Sequence, residues 1–304
     1  MDAKYIWMDG ELVELAKATV PFLTPALHYG AAAFEGIRCY NTVNGPAVFR
    51  LAEHTRRLVD SARVLGFREI PWSTDQISRA IKDTVKANEL TSCYIRPLIY
   101  WGGVVCGLNM NGAKPSLGIA VWEWSNYLGE EALAKGIRAN ISSYTRHQPN
   151  VTMTKAKIAG NYANSVLAKT ESIRLGFDEA IMLNPQGYVA ECSGENIFFV
   201  RNNKIVTPPL ADILEGITRD SILAIARDLG YEVSELPVSR DQLYTADEVF
   251  VCGTAAECIS LREIDFRTIG EGKTGPVTAS IQKTFYEAIQ GKLPQYEKWL
   301  EYIN

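Results

Sequence analysis

The sequence predicts an α+β protein built in two domains. Short strands and hairpins are mixed with isolated helices, and no regular βαβα alternation runs along the chain. No Gly-x-Gly-x-x-Gly follows a strand, so a dinucleotide-binding fold has no fingerprint. The pattern changes around Tyr127-Leu128-Gly129-Glu130, which sets the expected division. It gives a small N-terminal domain over 1–126, an interdomain loop over 127–133 and a larger C-terminal domain over 134–304.

Tyr5-Ile6-Trp7-Met8 and Glu11-Leu12-Val13 flank Asp9-Gly10, a two-residue hairpin signal. Leu51, Leu58, Ala62 and Leu65 share one helical face before Gly66, which predicts a helix over 51–65. Ser73 and Gln76 have capping-box spacing ahead of Ile77, Ile81 and Val85, so a second helix starts there. Strands are expected at 93–101 and 117–122, separated by a Gly- and Asn-rich loop from Gly102 to Pro115. In the second half, strands are expected at 137–144, 179–183, 196–200 and 247–252, with Ile205-Val206 following a turn at Asn202-Asn203. Helices are expected at 161–175, 218–229 and 276–289, the first two stopped by Gly176 and Gly230.

The chain of 304 residues is 47% hydrophobic and 22% charged, which supplies a buried core and argues against wholesale disorder. A formal net charge of -4 and the absence of a basic run remove the electrostatic basis for nucleic-acid binding. No stretch approaches the roughly 20 apolar residues of a membrane span, and the first residues lack the apolar core of a signal peptide. The six cysteines include no Cys-x-x-Cys pair, so neither a disulfide framework nor a thiolate zinc site is expected. His28, His54 and His147 lie in separate segments without paired metal-ligand spacing. These features together describe a cytoplasmic protein with no metal.

Thr154-Lys155-Ala156-Lys157-Ile158-Ala159-Gly160-Asn161-Tyr162 sets two lysines among small, uncharged residues before a helix. By composition alone both read as surface lysines, and nothing separates Lys155 from Lys157. Gly216-Ile217-Thr218 opens a helix and offers N–H groups to an anion, but it reads equally as an ordinary N-cap.

Seven segments occur in a fixed order. They are Ala26-Leu27-His28-Tyr29-Gly30 with Phe34-Glu35-Gly36-Ile37-Arg38, His54-Thr55-Arg56-Arg57-Leu58, Tyr94-Ile95-Arg96-Pro97-Leu98, and Lys157-Ile158-Ala159-Gly160-Asn161-Tyr162. Then come Glu191-Cys192-Ser193-Gly194-Glu195-Asn196-Ile197-Phe198, Gly216-Ile217-Thr218-Arg219 and Gly253-Thr254-Ala255-Ala256-Glu257. In these segments, and nearly end to end, the chain resembles the class IV, fold-type IV pyridoxal 5′-phosphate (PLP) enzymes, and most closely the bacterial branched-chain amino acid aminotransferases. The resemblance implies a fold like that of D-amino acid aminotransferase, with a smaller α/β N-terminal domain and a larger, β-barrel-like C-terminal domain.

It also implies roles. Lys157 matches the Schiff-base lysine, while Lys155 falls outside the motif. Glu191 matches the acid at the pyridine nitrogen, where a carboxylate stabilises the protonated ring. Tyr162 matches the tyrosine at the cofactor's phenolic oxygen and Leu214 the residue on the ring face. Arg57, Gly216, Ile217, Thr218 and Thr254 match the phosphate cup. Arg56 points about 100° away from Arg57 on a helix, which leaves it to solvent. Tyr94 with the N–H groups of Thr254 and Ala255 matches the holder of the substrate α-carboxylate. Tyr29, Phe34, Gly36, Trp124 and Tyr162 match a pocket suited to leucine, isoleucine and valine. Arg96, with Tyr29 and Arg38, matches the partner for the γ-carboxylate of glutamate, since a guanidinium fork fits a carboxylate.

The loop Cys106-Gly107-Leu108 and Tyr29 match segments that reach a neighbouring subunit's site, which implies a homodimer or higher homo-oligomer. The implied reaction is ping-pong transfer of the amino group from branched-chain L-amino acids to 2-oxoglutarate, giving L-glutamate and 2-oxo acids. Ala159, Glu215 and Cys106 depart from residues common in the family, and none of the three is a cofactor contact. D-Amino acid aminotransferases, (R)-amine transaminases and aminodeoxychorismate lyases share the fold. The pairing of Phe34–Arg38 with Tyr94–Arg96 favours the branched-chain enzymes over them.

Overall fold

The computed structural model describes residues 3–105, 107–124 and 135–303. Cys106 and the expected interdomain loop over 127–133 lie outside the described residues. The chain forms two compact units. The first comprises 1–124, 156–161 and 288–304, and the second comprises 125–155 and 162–287.

The first unit holds strands β1 (Tyr5–Met8), β2 (Glu11–Glu14), β3 (Ala32–Phe34), β4 (Ile37–Thr42), β5 (Gly45–Phe49), β6 (Cys93–Gly102) and β7 (Lys114–Trp122). Its helices are α1 (Pro25–Tyr29), α2 (Leu51–Val64) and α3 (Thr74–Ala87). Among the described residues the sheet runs from the C-terminal strand Leu300–Tyr302 through β5, β4, β6, β7 and β1 to β2, with β3 also on β6. Met8 pairs with Glu11 across the first hairpin, and Asp9 and Gly10 both have positive φ, as a two-residue turn between right-twisted strands requires. The capping box of α3 forms as its spacing predicts: Ser73 Oγ accepts from Gln76 N–H, and Gln76 Oε1 accepts from Ser73 N–H.

Period-two alternation on β6 decides what the unit can do. Cys93, Ile95 and Ile99 enter the apolar cluster shared with Leu51, Leu58, Ile77 and Ile81 of α2 and α3. Tyr94 and Arg96 therefore point to the opposite face of the sheet. Arg38 lies opposite Tyr94 on β4, and Trp122 lies opposite it on β7. One face is core, and the other carries the motif residues.

The second unit contains β8 (Ile137–Ile141), β9 (Glu179–Leu183), β10 (Val189–Cys192), β11 (Asn196–Arg201), β12 (Lys204–Thr207), β13 (Glu232–Glu235), β14 (Glu248–Gly253), β15 (Glu257–Ile264) and β16 (Arg267–Thr268). Their order is β10-β9-β8-β15-β14-β11-β12-β13, with β16 on β15, and the pairing is mixed parallel and antiparallel. The helices are α4 (Tyr162–Arg174), α5 (Ile217–Asp228), α6 (Arg240–Tyr244) and α7 (Pro276–Ile289). Ile197, Phe199, Val249 and Val251 fill one face. On the other, Phe198 and Phe250 stack in register at 4.9 Å, and α5 packs on β13 and β14. No helix among the described residues is long and apolar enough to cross a membrane.

The α+β class holds, and every helix expected from sequence is present with ends shifted by at most one residue. The strands β3, β4, β5, β10, β13, β15, β16 and the C-terminal strand were not among those expected. Most are short and lack polar alternation because both faces are covered; β4, for example, is buried at five of its six positions.

Candidate active site

In the first unit, Glu35 follows β3 and is completely buried. Arg57 of α2 forks onto it, with Nε 2.6 Å from Oε1 and Nη2 2.8 Å from Oε2. His54, one turn earlier on the same helix, donates from Nδ1 to Oε2 at 2.7 Å. Burial disfavours the Glu35 charge, but Arg57 and then His54 outweigh it and hold the carboxyl well below the usual carboxylate range. Burial pushes the His54 pKa down. The result is a rigid ion pair that fixes the direction of Arg57. Arg56 points outward, 3.8 Å from Asp60 on the next turn, with its side chain 83% exposed.

Lys157 sits in a segment clamped against β3. Its N–H donates to Ser61 Oγ at 2.9 Å, and its carbonyl accepts from Phe34 N–H at 3.0 Å. The next residue, Ile158, bridges to Ala33. Further along, Gly160 N–H donates to Gly30 O at 3.1 Å. A Cβ at Gly30 would come within 2.5 Å of Gly160 Cα, so this approach requires glycine. Lys157 Nζ lies 4.8 Å from the Phe34 ring centroid and is half-buried. Lys155 behaves differently: it belongs to the second unit, is exposed, and donates to Ile213 O at 3.1 Å.

The aromatic face beside this segment is cationic at its centre. Arg96 Nη2 donates to the Tyr94 hydroxyl at 3.1 Å, and its guanidinium stands 4.8 Å from the Phe34 ring. Tyr94 packs on Trp122 at 5.0 Å and on Trp124 at 4.4 Å. Arg38 is buried over the Tyr40 ring. Gly36 leaves the room that Tyr94 occupies, since a Cβ there would lie 1.9 Å from the tyrosine hydroxyl. Tyr29 and Leu108 are exposed, and the Tyr29 hydroxyl accepts from Gly107 N–H at 3.2 Å.

In the second unit, Glu191 of β10 is buried and held from three sides. Arg146 Nε donates to Oε1 at 2.7 Å, Asn196 Nδ2 donates to Oε2 at 3.2 Å, and Leu214 N–H lies 3.3 Å from Oε2. Arg146 also donates to His147 Nδ1 at 3.0 Å. Burial and then Arg146 push the His147 pKa down to about 4, so the imidazole stays a neutral acceptor. Asn196 Nδ2 also donates to Leu214 O, and its Oδ1 lies where a Cβ of Gly216 would be, at 2.0 Å. Gly216 is therefore confined to glycine, and α5 starts at Ile217 without a side-chain cap. The first-turn N–H groups of Ile217 and Thr218 have no partner within the helix and no side-chain cap, and they stand at the positive end of the helix dipole. Thr254, Ala255 and Ala256 form the three-residue turn between β14 and β15. Tyr162 is the first residue of α4 and is half-buried.

The model of the family described as amino-transferase class IV matches residues 32–264. The chain belongs to the class IV aminotransferases. This aminotransferase is 48% identical to a branched-chain-amino-acid aminotransferase of Pseudomonas aeruginosa, over 97% of this chain and 95% of that protein. It is 45% identical to the protein of the same name from Escherichia coli K12, over 99% and 98%. Among solved structures, it resembles the T.th. branched-chain amino acid aminotransferase with pyridoxamine 5′-phosphate, at a TM-score of 0.96 and 50% identity over 99% of each chain.

Sequence reasoning about the aminotransferase missed the supports of its motif residues. Glu35 and His54 stood inside quoted segments without a role, and Arg146 carried no motif at all. Only the fold brings Arg146, 45 positions away in sequence, to Glu191.

Proposed function

We propose that this aminotransferase moves the amino group of L-leucine, L-isoleucine or L-valine to 2-oxoglutarate, using PLP carried on Lys157. The observation that carries the reading is the buried, triply held Glu191 beside the uncapped start of α5. Those residues suit PLP: an oriented carboxylate for a pyridinium, and helix N–H groups for a phosphate dianion. When bound, PLP supplies an electron sink that lets an amino acid give up its α-proton.

The remaining steps belong to the chain. Lys157 would hold the cofactor covalently and, once the substrate amine has taken its place there, its Nζ would be free to take the proton from substrate Cα. Glu191 holds the proton at the ring nitrogen, kept in place by Arg146 and Asn196. By the family match, Tyr162 would bind the phenolic oxygen and Leu214 would pack on the ring. Arg57, Gly216, Ile217, Thr218 and Thr254 hold the phosphate. Tyr94 with Thr254 and Ala255 binds the substrate carboxylate. Tyr29, Phe34, Gly36 and Trp124 surround an aliphatic side chain, and Arg96 with Arg38 takes the γ-carboxylate of glutamate. The close stacking of Arg96 on Phe34 supports this dual use, because one face offers both rings and a guanidinium.

The reading extends to a homodimer completed by Tyr29 and Leu108, which are exposed apolar side chains on the isolated chain. It extends also to the cytoplasm, supported by five described cysteines that are free thiols. The test is spectroscopic. The visible band of the holoenzyme is expected to bleach with L-leucine and return with 2-oxoglutarate; bleaching by D-alanine alone would overturn the assignment.

Gly36→Ala probes the pocket. The added methyl must push Tyr94 aside, and such overpacking costs about 1–3 kcal/mol. The expected result is a raised KM for leucine with unchanged PLP affinity, measured by steady-state kinetics and cofactor titration.

A further inference from the structure

The turn Ser193-Gly194 joins β10, which carries Glu191, to Glu195 and Asn196 at the start of β11. Cys192 N–H donates to Glu195 O across it at 2.8 Å. Behind the turn lie two buried carboxyl groups that the transamination chemistry does not use, Glu179 at 1% exposure and Glu195 at 6%. Successive N–H groups of the turn reach the two acids, Ser193 donating to Glu179 Oε1 and Gly194 to Glu195 Oε2, each at 3.2 Å, so the carboxyl groups lie side by side, where two negative charges repel.

Lys169 of α4 pairs with Glu179 Oε2, while Glu179 Oε1 accepts from Ala180 N–H at 2.7 Å and Ser193 N–H at 3.2 Å. Glu195 Oε2 accepts the backbone N–H of Gly194 at 3.2 Å. One lysine thus faces two acids, and the carboxylate form belongs to the acid it touches. The other titratable groups facing Glu195 are Cys192 on β10 and Cys252 on β14, whose thiols burial keeps protonated. Burial and then Glu179 push the Glu195 pKa up to about 8.

The position of Glu195 gives this proton leverage. Glu191 and Asn196 bond to each other across the turn, and Asn196 bonds to Leu214 O. A Cβ at Gly253, which leads into Thr254-Ala255, would lie 3.5 Å from Glu195 Cγ. Glu195 thus adjoins Asn196 in the chain and packs its Cγ beside Gly253, so its side chain borders two of the proposed site segments.

We propose that Glu195 and Glu179 act as an acid–carboxylate pair that shares one proton and positions Glu191 and Asn196, so that loss of the proton weakens PLP binding. Glu195 is a positioning residue, and its link to the cofactor rests on the assignment of Glu191 above. With the proton gone, two carboxylates face each other in a buried site with one lysine, and the turn must move or admit water.

Glu195→Gln tests this, because glutamine keeps a donor for Glu179 and an acceptor for Gly194 but cannot ionise. PLP affinity of the full-length protein is expected to fall by about three- to tenfold more in wild type than in Glu195→Gln between about pH 7 and about pH 9. Equal falls in the two proteins, with PLP bound, would overturn the positioning role. No PLP binding at any pH would overturn the functional assignment, and the positioning role with it.

The apoprotein gives a separate reading of the proton. Above the ordinary carboxyl value of 4.5 the unfolded chain has released a proton that the folded state retains to about 8. Rising pH through that window therefore works against the folded state of wild type alone. Its melting temperature should drop relative to Glu195→Gln across the window; parallel profiles would overturn the shared proton. If Glu195→Gln does not fold, infrared titration of wild type decides. A protonated-carboxyl band lost at mildly alkaline pH supports the pair, and absence of that band overturns it.

Discussion

Lys157→Ala is expected to lose at least the about 10²–10⁴-fold that a positioned general acid–base contributes, while folding normally. The backbone contacts of Lys157 with Ser61 and Phe34 do not need the side chain, so the clamped segment survives truncation. Borohydride reduction of the holoenzyme followed by peptide mapping should place the cofactor on Lys157 and leave Lys155 unlabelled. Lys155→Ala should label and turn over as wild type, since its ammonium is exposed and occupied by Ile213 O. An active Lys157→Ala, or label on Lys155, would move the attachment point and with it the proposed proton transfer at Cα.

Glu35→Ala is expected to produce the largest loss of stability. It strips a half-buried guanidinium of both carboxylate contacts and leaves the His54 Nδ1–H without its acceptor. Removing one member of such a pair costs about 3–5 kcal/mol, measurable by urea unfolding near neutral pH. Phosphate affinity should fall as well, because the fork that aims Arg57 is gone. The pH dependence has a definite sign. The folded-state pKa of Glu35 lies below its ordinary 4.5, so its contribution is complete above that value and disappears as pH falls below it. A wild-type protein whose stability did not decline relative to Glu35→Ala on acidification would contradict this account.

The legible parts of the fold were those with local causes. The α3 capping box, the Asp9-Gly10 hairpin and the glycine-stopped helices are encoded within a few residues each, and all are present. The short strands β10 and β13 depend on distant partners, with β13 supported by parallel pairing to β12 across an intervening helix. The motif residues were legible by resemblance, whereas what orients them was not. Arg146 and His147 read as polar loop residues until β10 is laid beside them. Glu179 opens a strand and Lys169 lies in the middle of a helix, and nothing local in the sequence pairs them; only the fold brings them together in one buried environment.

The alternation along β6 has a consequence for how this protein can change. Cys93, Ile95 and Ile99 answer to packing, and Tyr94 and Arg96 answer to whatever occupies the other face. Two sets of constraints are interleaved on one strand but coupled through its backbone alone. If Tyr94 and Arg96 bind substrate as proposed, substitutions at 94 or 96 would retune selectivity without repacking the helices behind them. A one-residue insertion before Tyr94 would exchange the two sets at a stroke, placing a guanidinium in the core and isoleucine in the pocket. The motif face of β6 is open to replacement and closed to insertion, which makes β6 a strand on which to vary side chains and never length.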